Sequence, residues 1–144
     1  MTEYRIGRAG EEAKILALAN SVFNTDFTQL IPKVYGPGKT FAPMHHLAEE
    51  NGEIIALASV YDRQYTLGGQ RLKVGYVGTV STHPDHRLKG HMRALMARLD
   101  RQMRRDGTHI ALLGGIRHRY AHYGYEVGSE KLSFEVLSFS LPTS

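Results

Sequence analysis

The chain has 144 residues, 42% of them hydrophobic and 22% charged, the proportions of one globular domain with room for a hydrophobic core. It holds no cysteine, which excludes a disulfide framework, a thiolate metal site and a cysteine nucleophile. A formal net charge of +4 favours an anionic partner, and no apolar run has the length to span a membrane.

With no apolar leader before Tyr4-Arg5-Ile6, the expected address is cytoplasmic. Tyr4 to Ala9 reads as a first strand. From Glu11 to Phe23, Ile15, Leu18, Ala19, Val22 and Phe23 recur at helical spacing, with Glu11 and Glu12 in the first turn, where the helix dipole favours acids. Between Asn24 and Lys39, Phe27, Leu30, Ile31 and Val34 hint at a second helix. Pro32 interrupts it and Gly36-Pro37-Gly38 ends it, which predicts a broken, mobile helix-plus-loop.

Met44–Glu50 and Glu53–Arg63 flank Asn51-Gly52, a strong hairpin signal. Ile54 to Val60 is apolar on both faces, so that strand is expected to be central. Gly68-Gly69 marks another turn, and Gln70 to Thr82 is a third long strand. Gly75 and Gly78 inside it suggest a bulge or the close approach of another backbone.

Pro84-Asp85 breaks this strand. Arg87, Lys89 and Gly90 stand where a helix begins, and Leu88, Met92, Leu95, Met96, Leu99 and Met103 form one stripe at spacings of three and four. A helix start presents unpaired N–H groups and a partial positive charge, so this turn is a candidate anion site. The competing reading is a solvated basic face, since Arg93, Arg98, Arg101, Arg104 and Arg105 follow. Gly107 stops the helix and Ile110–Leu113 is a buried strand. A strand, a crossover helix and a strand imply a parallel pair, Val74–Val80 beside Ile110–Leu113. Arg117–Tyr123 forms one or two helical turns before Gly124, and Lys131–Leu141 holds a last strand. The sum is a single α/β domain with a mixed sheet, its N-terminal strands antiparallel and one parallel pair joined by a long helix.

The run HPDHRLKGHMRALM, His83 to Met96, resembles the Arg-x-x-Gly-x-Gly/Ala acyl-coenzyme A signature of the GNAT N-acetyltransferase superfamily. Arg87 and Gly90 match, whereas Met92 replaces the final small residue and limits how closely a phosphate approaches the backbone. The bulky residue followed by Arg-x-Leu-Met is similar to the enhanced-intracellular-survival branch. The resemblance implies an acetyl-CoA-dependent N-acyltransferase that passes the acyl group directly to an amine. It places the donor's phosphates on Arg87, Leu88, Lys89, Gly90, His91 and Met92, and its pantetheine arm along Val80, Ser81 and Thr82. It also implies two splayed parallel strands and a substrate lid over Asn24–Lys39, where an ordinary irregular connection is the other reading. The run HRYAHYGYE resembles the Tyr-x-x-x-Gly-Tyr/Phe pattern of the same superfamily and assigns Tyr120 as the acid that protonates the departing thiolate. A phenol of pKa about 10 holds its proton at neutral pH and can donate it. The alternative for Tyr120 is an anchor for a short helix. An asparagine common just before that tyrosine is missing.

His45, His46, Glu49 and Asp62 are the candidates for a base on the acceptor amine, with a water chain as the other option. His118 and His122 have the i,i+4 spacing of a metal pair, yet no Glu lies between them, and no metal is expected. The short tail after Gly124 implies an abbreviated ending, a second subunit of a homodimer completing the wall, or an excerpt of a longer protein. The alternative function is a GNAT-like module that binds acyl-CoA for regulation without turnover. Nucleic acid is the weaker anionic partner, because the basic helix lacks interleaved aromatics and its apolar stripe is needed for the core.

Overall fold

In the computed structural model, residues 1–114 and 117–128 are described, in two units that divide after Gly114. The first unit is built on a five-stranded sheet in the order β1 (Glu3–Ile6), β2 (His45–Glu50), β3 (Glu53–Leu67), β4 (Gln70–Thr82) and β5 (Ile110–Leu113). Neighbours are antiparallel except β4 and β5, which run parallel from Val74 opposite Ile110 to Val77 opposite Leu113. The mixed sheet and its parallel pair are those expected from the sequence. The pair is shorter than expected, ending at Val77 rather than Val80.

Both hairpins turn on two residues of positive φ, Asn51-Gly52 and Gly68-Gly69, the connection whose twist matches paired strands. β3 therefore continues to Leu67, beyond the expected end at Arg63. β1 stops at Ile6 rather than Ala9; Gly7 still donates its N–H to the His45 carbonyl at 2.9 Å, and a Cβ there would sit 2.3 Å from the Ala42 carbonyl oxygen.

Helix α1 (Glu12–Phe23) covers one face of the sheet, packing Ile15, Leu18 and Ala19 with Leu47 and Leu57. Helix α4 (His91–Arg105) covers the other face, since His46, the neighbour of Leu47, hydrogen-bonds to Gln102 on it and successive strand residues point to opposite sides. Between α1 and β2 the chain forms two single-turn helices, α2 (Phe27–Leu30) and α3 (Pro32–Tyr35). Asp26 caps α2 by accepting from the Thr28 N–H at 3.0 Å. The helix is interrupted before Pro32 as expected, and Pro32 opens α3, since the first helical position needs no N–H. This segment is anchored in the core by the buried rings of Phe27 and Tyr35.

Two positions expected on the α4 stripe are not buried with it. Leu88 lies outside the helix and is fully exposed, and Met92 is half-buried. His91, Leu95, Met96, Leu99 and Met103 form the buried face. At the far end, the Thr108 N–H donates to the Met103 carbonyl at 2.9 Å and the His109 N–H to the Lys73 carbonyl at 2.9 Å, which feeds the chain into β5 beside β4.

The second unit contains α5 (Arg117–Tyr120) and a 3-10 turn at Ala121–Tyr123, closed by the Gly124 N–H on the Ala121 carbonyl at 2.9 Å. The two helical turns and their stop at Gly124 match the sequence reading. The strand expected at Lys131–Leu141 lies outside the described residues.

Candidate active site

The site begins where β4 loses its regular pairing. Leu57 faces Ser81 while Ser59 faces Gly78, so Thr79 and Val80 together oppose Ala58 and form a bulge on β4. Thr79 takes φ 56°, the left-handed region, within this bulge. The irregularity expected from Gly75 and Gly78 is therefore present, one residue beyond Gly78. The glycines themselves answer to side chains and not to another backbone: a Cβ would meet Met103 Sδ at 2.8 Å from Gly75 and the Tyr61 ring at 2.8 Å from Gly78. From Gly78 to Thr82 no described strand pairs with the β5 side of β4. Of the residues expected along this edge, Val80 and Thr82 are half-buried and Ser81 is buried, its hydroxyl donating to the Thr79 carbonyl at 3.0 Å.

A buried polar network holds the bulge. The Thr79 hydroxyl lies 2.8 Å from Tyr35 Oη and is also bonded to Tyr61 Oη, and Tyr35 Oη lies 2.6 Å from Tyr61 Oη and 2.8 Å from His45 Nε2. His45 Nδ1 faces the Phe41 carbonyl at 2.8 Å. A carbonyl only accepts, so Nδ1 carries the proton and Nε2 accepts from Tyr35. Tyr35 thus donates to His45 and His45 to Phe41, which leaves the protons of Tyr61 and Thr79 to serve the three contacts among the Tyr35, Tyr61 and Thr79 hydroxyls. Burial pushes the His45 imidazole down to about 4 and the Tyr35 phenol well above its ordinary value.

After β4, the His83 N–H donates to the Ile55 carbonyl at 2.8 Å and fixes the start of the turn. Pro84–His86 makes one 3-10 turn, capped by His83 Nδ1 accepting from the Asp85 N–H at 3.1 Å. Arg87 is extended, and Leu88 and Gly90 take φ 63° and 82°. Gly90 is the N-cap of α4, and its carbonyl accepts from the Ala94 N–H at 3.1 Å. The N–H groups of His91, Met92 and Arg93 therefore have no helical carbonyl behind them. Arg87, Leu88, Lys89 and Gly90 are all exposed beside those N–H groups. The expected basic turn at a helix start is present. His91 differs from its neighbours there: its ring turns inward, with Nδ1 2.9 Å from Tyr4 Oη, leaving only its N–H for a ligand at the turn.

The proposed bases fare unequally. His45 is neutral and fully engaged. His46 is buried, and its Nε2 donates to Gln102 Oε1 at 2.5 Å. Glu49 pairs with Arg5, which also donates to Glu11 at 2.6 Å and 2.9 Å. That pairing, with the Arg8 N–H, holds the Glu11 carboxyl down to about 2. Asp62 alone of the four is exposed. In the second unit, Tyr120 closes α5 and its ring meets Tyr125 edge-on, with centroids 6.5 Å apart.

Nothing in the residue pattern joins Tyr35, Tyr61 and Thr79, because they lie on three elements and read as ordinary core residues. The cluster of Glu50, His86 and His91, whose ligand atoms all lie within 4.8 Å of one another, also went unread.

Residues 3–128 match the family model of the acetyltransferase (GNAT) domain. A predicted acetyltransferase from Clostridium acetobutylicum, solved with acetyl-CoA, is similar at 21% identity and a TM-score of 0.77, over 94% of this chain and 96% of that one. Glucosamine-6-phosphate N-acetyltransferase from Arabidopsis thaliana shares 18% identity at a TM-score of 0.67, over 94% and 98% of the two chains. Eis1 from Mycobacterium abscessus shares 22% identity at a TM-score of 0.69, over 87% of this chain and 31% of its own. At these identities the likeness is one of fold. Comparison with curated proteins by sequence found no match.

Proposed function

The chain belongs to the GNAT acetyltransferase family, and from that premise we propose how this N-acetyltransferase works: acetyl-CoA is the donor and an amine the acceptor, with direct transfer between them. The observation that carries this reading is the start of α4. Three helix-start N–H groups lie open beside the exposed Arg87 and Lys89, directly after a strand whose edge from Gly78 to Thr82 no described strand covers. The donor's pyrophosphate sits on the N–H groups from Leu88 to Met92, within reach of Arg87 and Lys89. Its pantetheine amides run along Val80–Thr82 in strand fashion, and a backbone N–H of that edge polarises the thioester carbonyl. The amine attacks the carbonyl carbon, the C–S bond breaks, and Tyr120 gives its phenolic proton to the sulfur. Of the four bases first considered, Asp62 is the one left open to accept the amine's proton, directly or through water. The enhanced-intracellular-survival branch and a cytoplasmic address are part of the same proposal. Among the described residues, no helix is long and apolar enough to cross a membrane.

The second reading is a module that binds acyl-CoA without turnover. Met92 motivates it, since a side chain stands where a phosphate needs room. Direct titration and an amine panel separate the two. Arg87→Ala together with Lys89→Ala is expected to weaken acetyl-CoA binding at least ~10-fold without lowering the unfolding midpoint. Tyr120→Phe is expected to lower turnover ~100-fold at unchanged donor affinity. Turnover unchanged by Tyr120→Phe removes the proton-donor role. Donor binding with no turnover on any amine leaves the module.

A further inference from the structure

We propose that Glu50, His86 and His91 form a divalent transition-metal site, by its donor set one for Zn²⁺. The three residues come from three places: Glu50 ends β2, His86 closes the 3-10 turn, and His91 is the first residue of α4. One carboxylate oxygen and one nitrogen of each imidazole lie within 4.8 Å of one another. Each ring also has a buried nitrogen with no hydrogen-bond partner among the described residues, Nδ1 of His86 and Nε2 of His91, and His91 is only 5% exposed. A buried imidazole nitrogen with no partner is costly unless something occupies the space before it.

The outer contacts suit a metal. His91 Nδ1 lies 2.9 Å from Tyr4 Oη. When Nδ1–H donates to that oxygen, the buried Nε2 keeps its lone pair for a ligand, the usual arrangement of a metal-bound histidine. Glu50 Oε2 accepts from Thr2 Oγ1 at 3.2 Å and lies 3.9 Å from His86 Nδ1. Ligand bonds of about 2.0–2.1 Å require these atoms to draw closer, and Glu50 and His86 are both part-exposed and able to turn inward. Two imidazoles and one carboxylate leave a fourth tetrahedral position for water or an added ligand. His86 and His91 also bracket Arg87–Gly90 in the chain, so a bound metal ties both ends of that exposed turn to β2.

The test uses the untagged full chain, stripped with a chelator and titrated with Zn²⁺ in competition with a chromophoric chelator. One equivalent is expected to bind, and Co²⁺ in its place is expected to give a tetrahedral ligand-field spectrum. Glu50→Gln and His86→Gln are each expected to weaken Zn²⁺ binding at least ~10-fold, while His122→Ala leaves it unchanged. Nitrogen NMR of the histidine rings asks the same question without a substitution: Zn²⁺ should move Nδ1 of His86 and Nε2 of His91 and leave His45 and His46 in place. No stoichiometric binding by the parent protein overturns the site. So does binding that survives both glutamine substitutions, or ring shifts confined to other histidines. None of these readouts depends on acetyl transfer, so the site stands or falls apart from the proposed function.

Discussion

Thr79 and Leu88 lie on either side of Pro84, and both hold left-handed backbone, at φ 56° and 63°. Such a conformation costs a residue with a Cβ about 1–2 kcal/mol. Their surroundings are opposite. Thr79 is buried, and its hydroxyl is bonded to Tyr35 and Tyr61 in a network that reaches His45. Leu88 is 105% exposed. The strand bulge is thus enforced by buried side chains, whereas the basic turn is held at its two ends, by the His83 N–H on the Ile55 carbonyl and the His91 ring beside Tyr4, with Leu88 exposed between them. In the proposed reaction, the pantetheine edge is preformed and the anion completes the phosphate turn.

The largest expected effect strikes the network through His45. Burial lowers its pKa from 6.5 to about 4. Above 6.5 the imidazole is neutral in both folded and unfolded chains. As pH falls below 6.5 the unfolded chain takes a proton that the folded one refuses, so stability declines until the pH reaches about 4 and then levels off. The full change is about 3 kcal/mol. Urea midpoints measured from pH 7 to 4 should show it. His46 and His91, also lowered by burial, slope the same way, so NMR titration of the His45 ring makes the assignment. A His45 ring that titrates near 6.5 would detach it from the network.

Tyr35→Phe comes next. It removes the donor to His45 Nε2 and one partner each of Tyr61 and Thr79, and about 2 kcal/mol of stability should be lost. Thr79→Gly follows, as the sharper probe. Glycine relieves the left-handed backbone, but the hydroxyl at the centre of the network goes with the side chain. We expect a net loss of about 1 kcal/mol, seen as a lower unfolding midpoint. A gain in stability would show that the network does not hold the bulge.

The same contrast explains what was legible in the sequence. The turn at Arg87–Gly90 is local, so its charge, its glycine and the following helix could be read from adjacent residues. The bulge was half-legible: Gly78 announced an irregular strand, but the residue that carries the positive φ is a threonine, which no propensity would choose. Its explanation lies in Tyr35 and Tyr61, 44 and 18 residues away in sequence. The stripe on α4 misled at its start because periodicity continues through Leu88, whereas the helix begins only at His91. His91 then takes the buried place that the apolar pattern gave to Met92. Histidine pairs in the sequence pointed to His118 and His122; the three-residue cluster needed a carboxylate from β2, 36 residues before His86, which only the folded sheet brings close.

The smallest effect tests the exposed half of the comparison. Leu88→Gly relieves about 1–2 kcal/mol of backbone strain and restores about 0.5–1 kcal/mol of unfolded-state freedom that folding must remove. No buried contact is lost, so stability should rise by up to about 1.5 kcal/mol. The turn's resting shape, however, is then less strongly set, and the N–H groups meant for the pyrophosphate spread over more arrangements. Acetyl-CoA binding should therefore weaken by a few-fold, which calorimetry on the folded protein can measure alongside the unfolding midpoint. Thr79→Gly and Leu88→Gly are then opposite in their effect on stability, though each removes a side chain from the same backbone conformation. If the two substitutions shift the midpoint in the same direction, burial is not what separates the two turns. If Leu88→Gly leaves donor affinity untouched, the glycine at position 90 suffices to shape the turn.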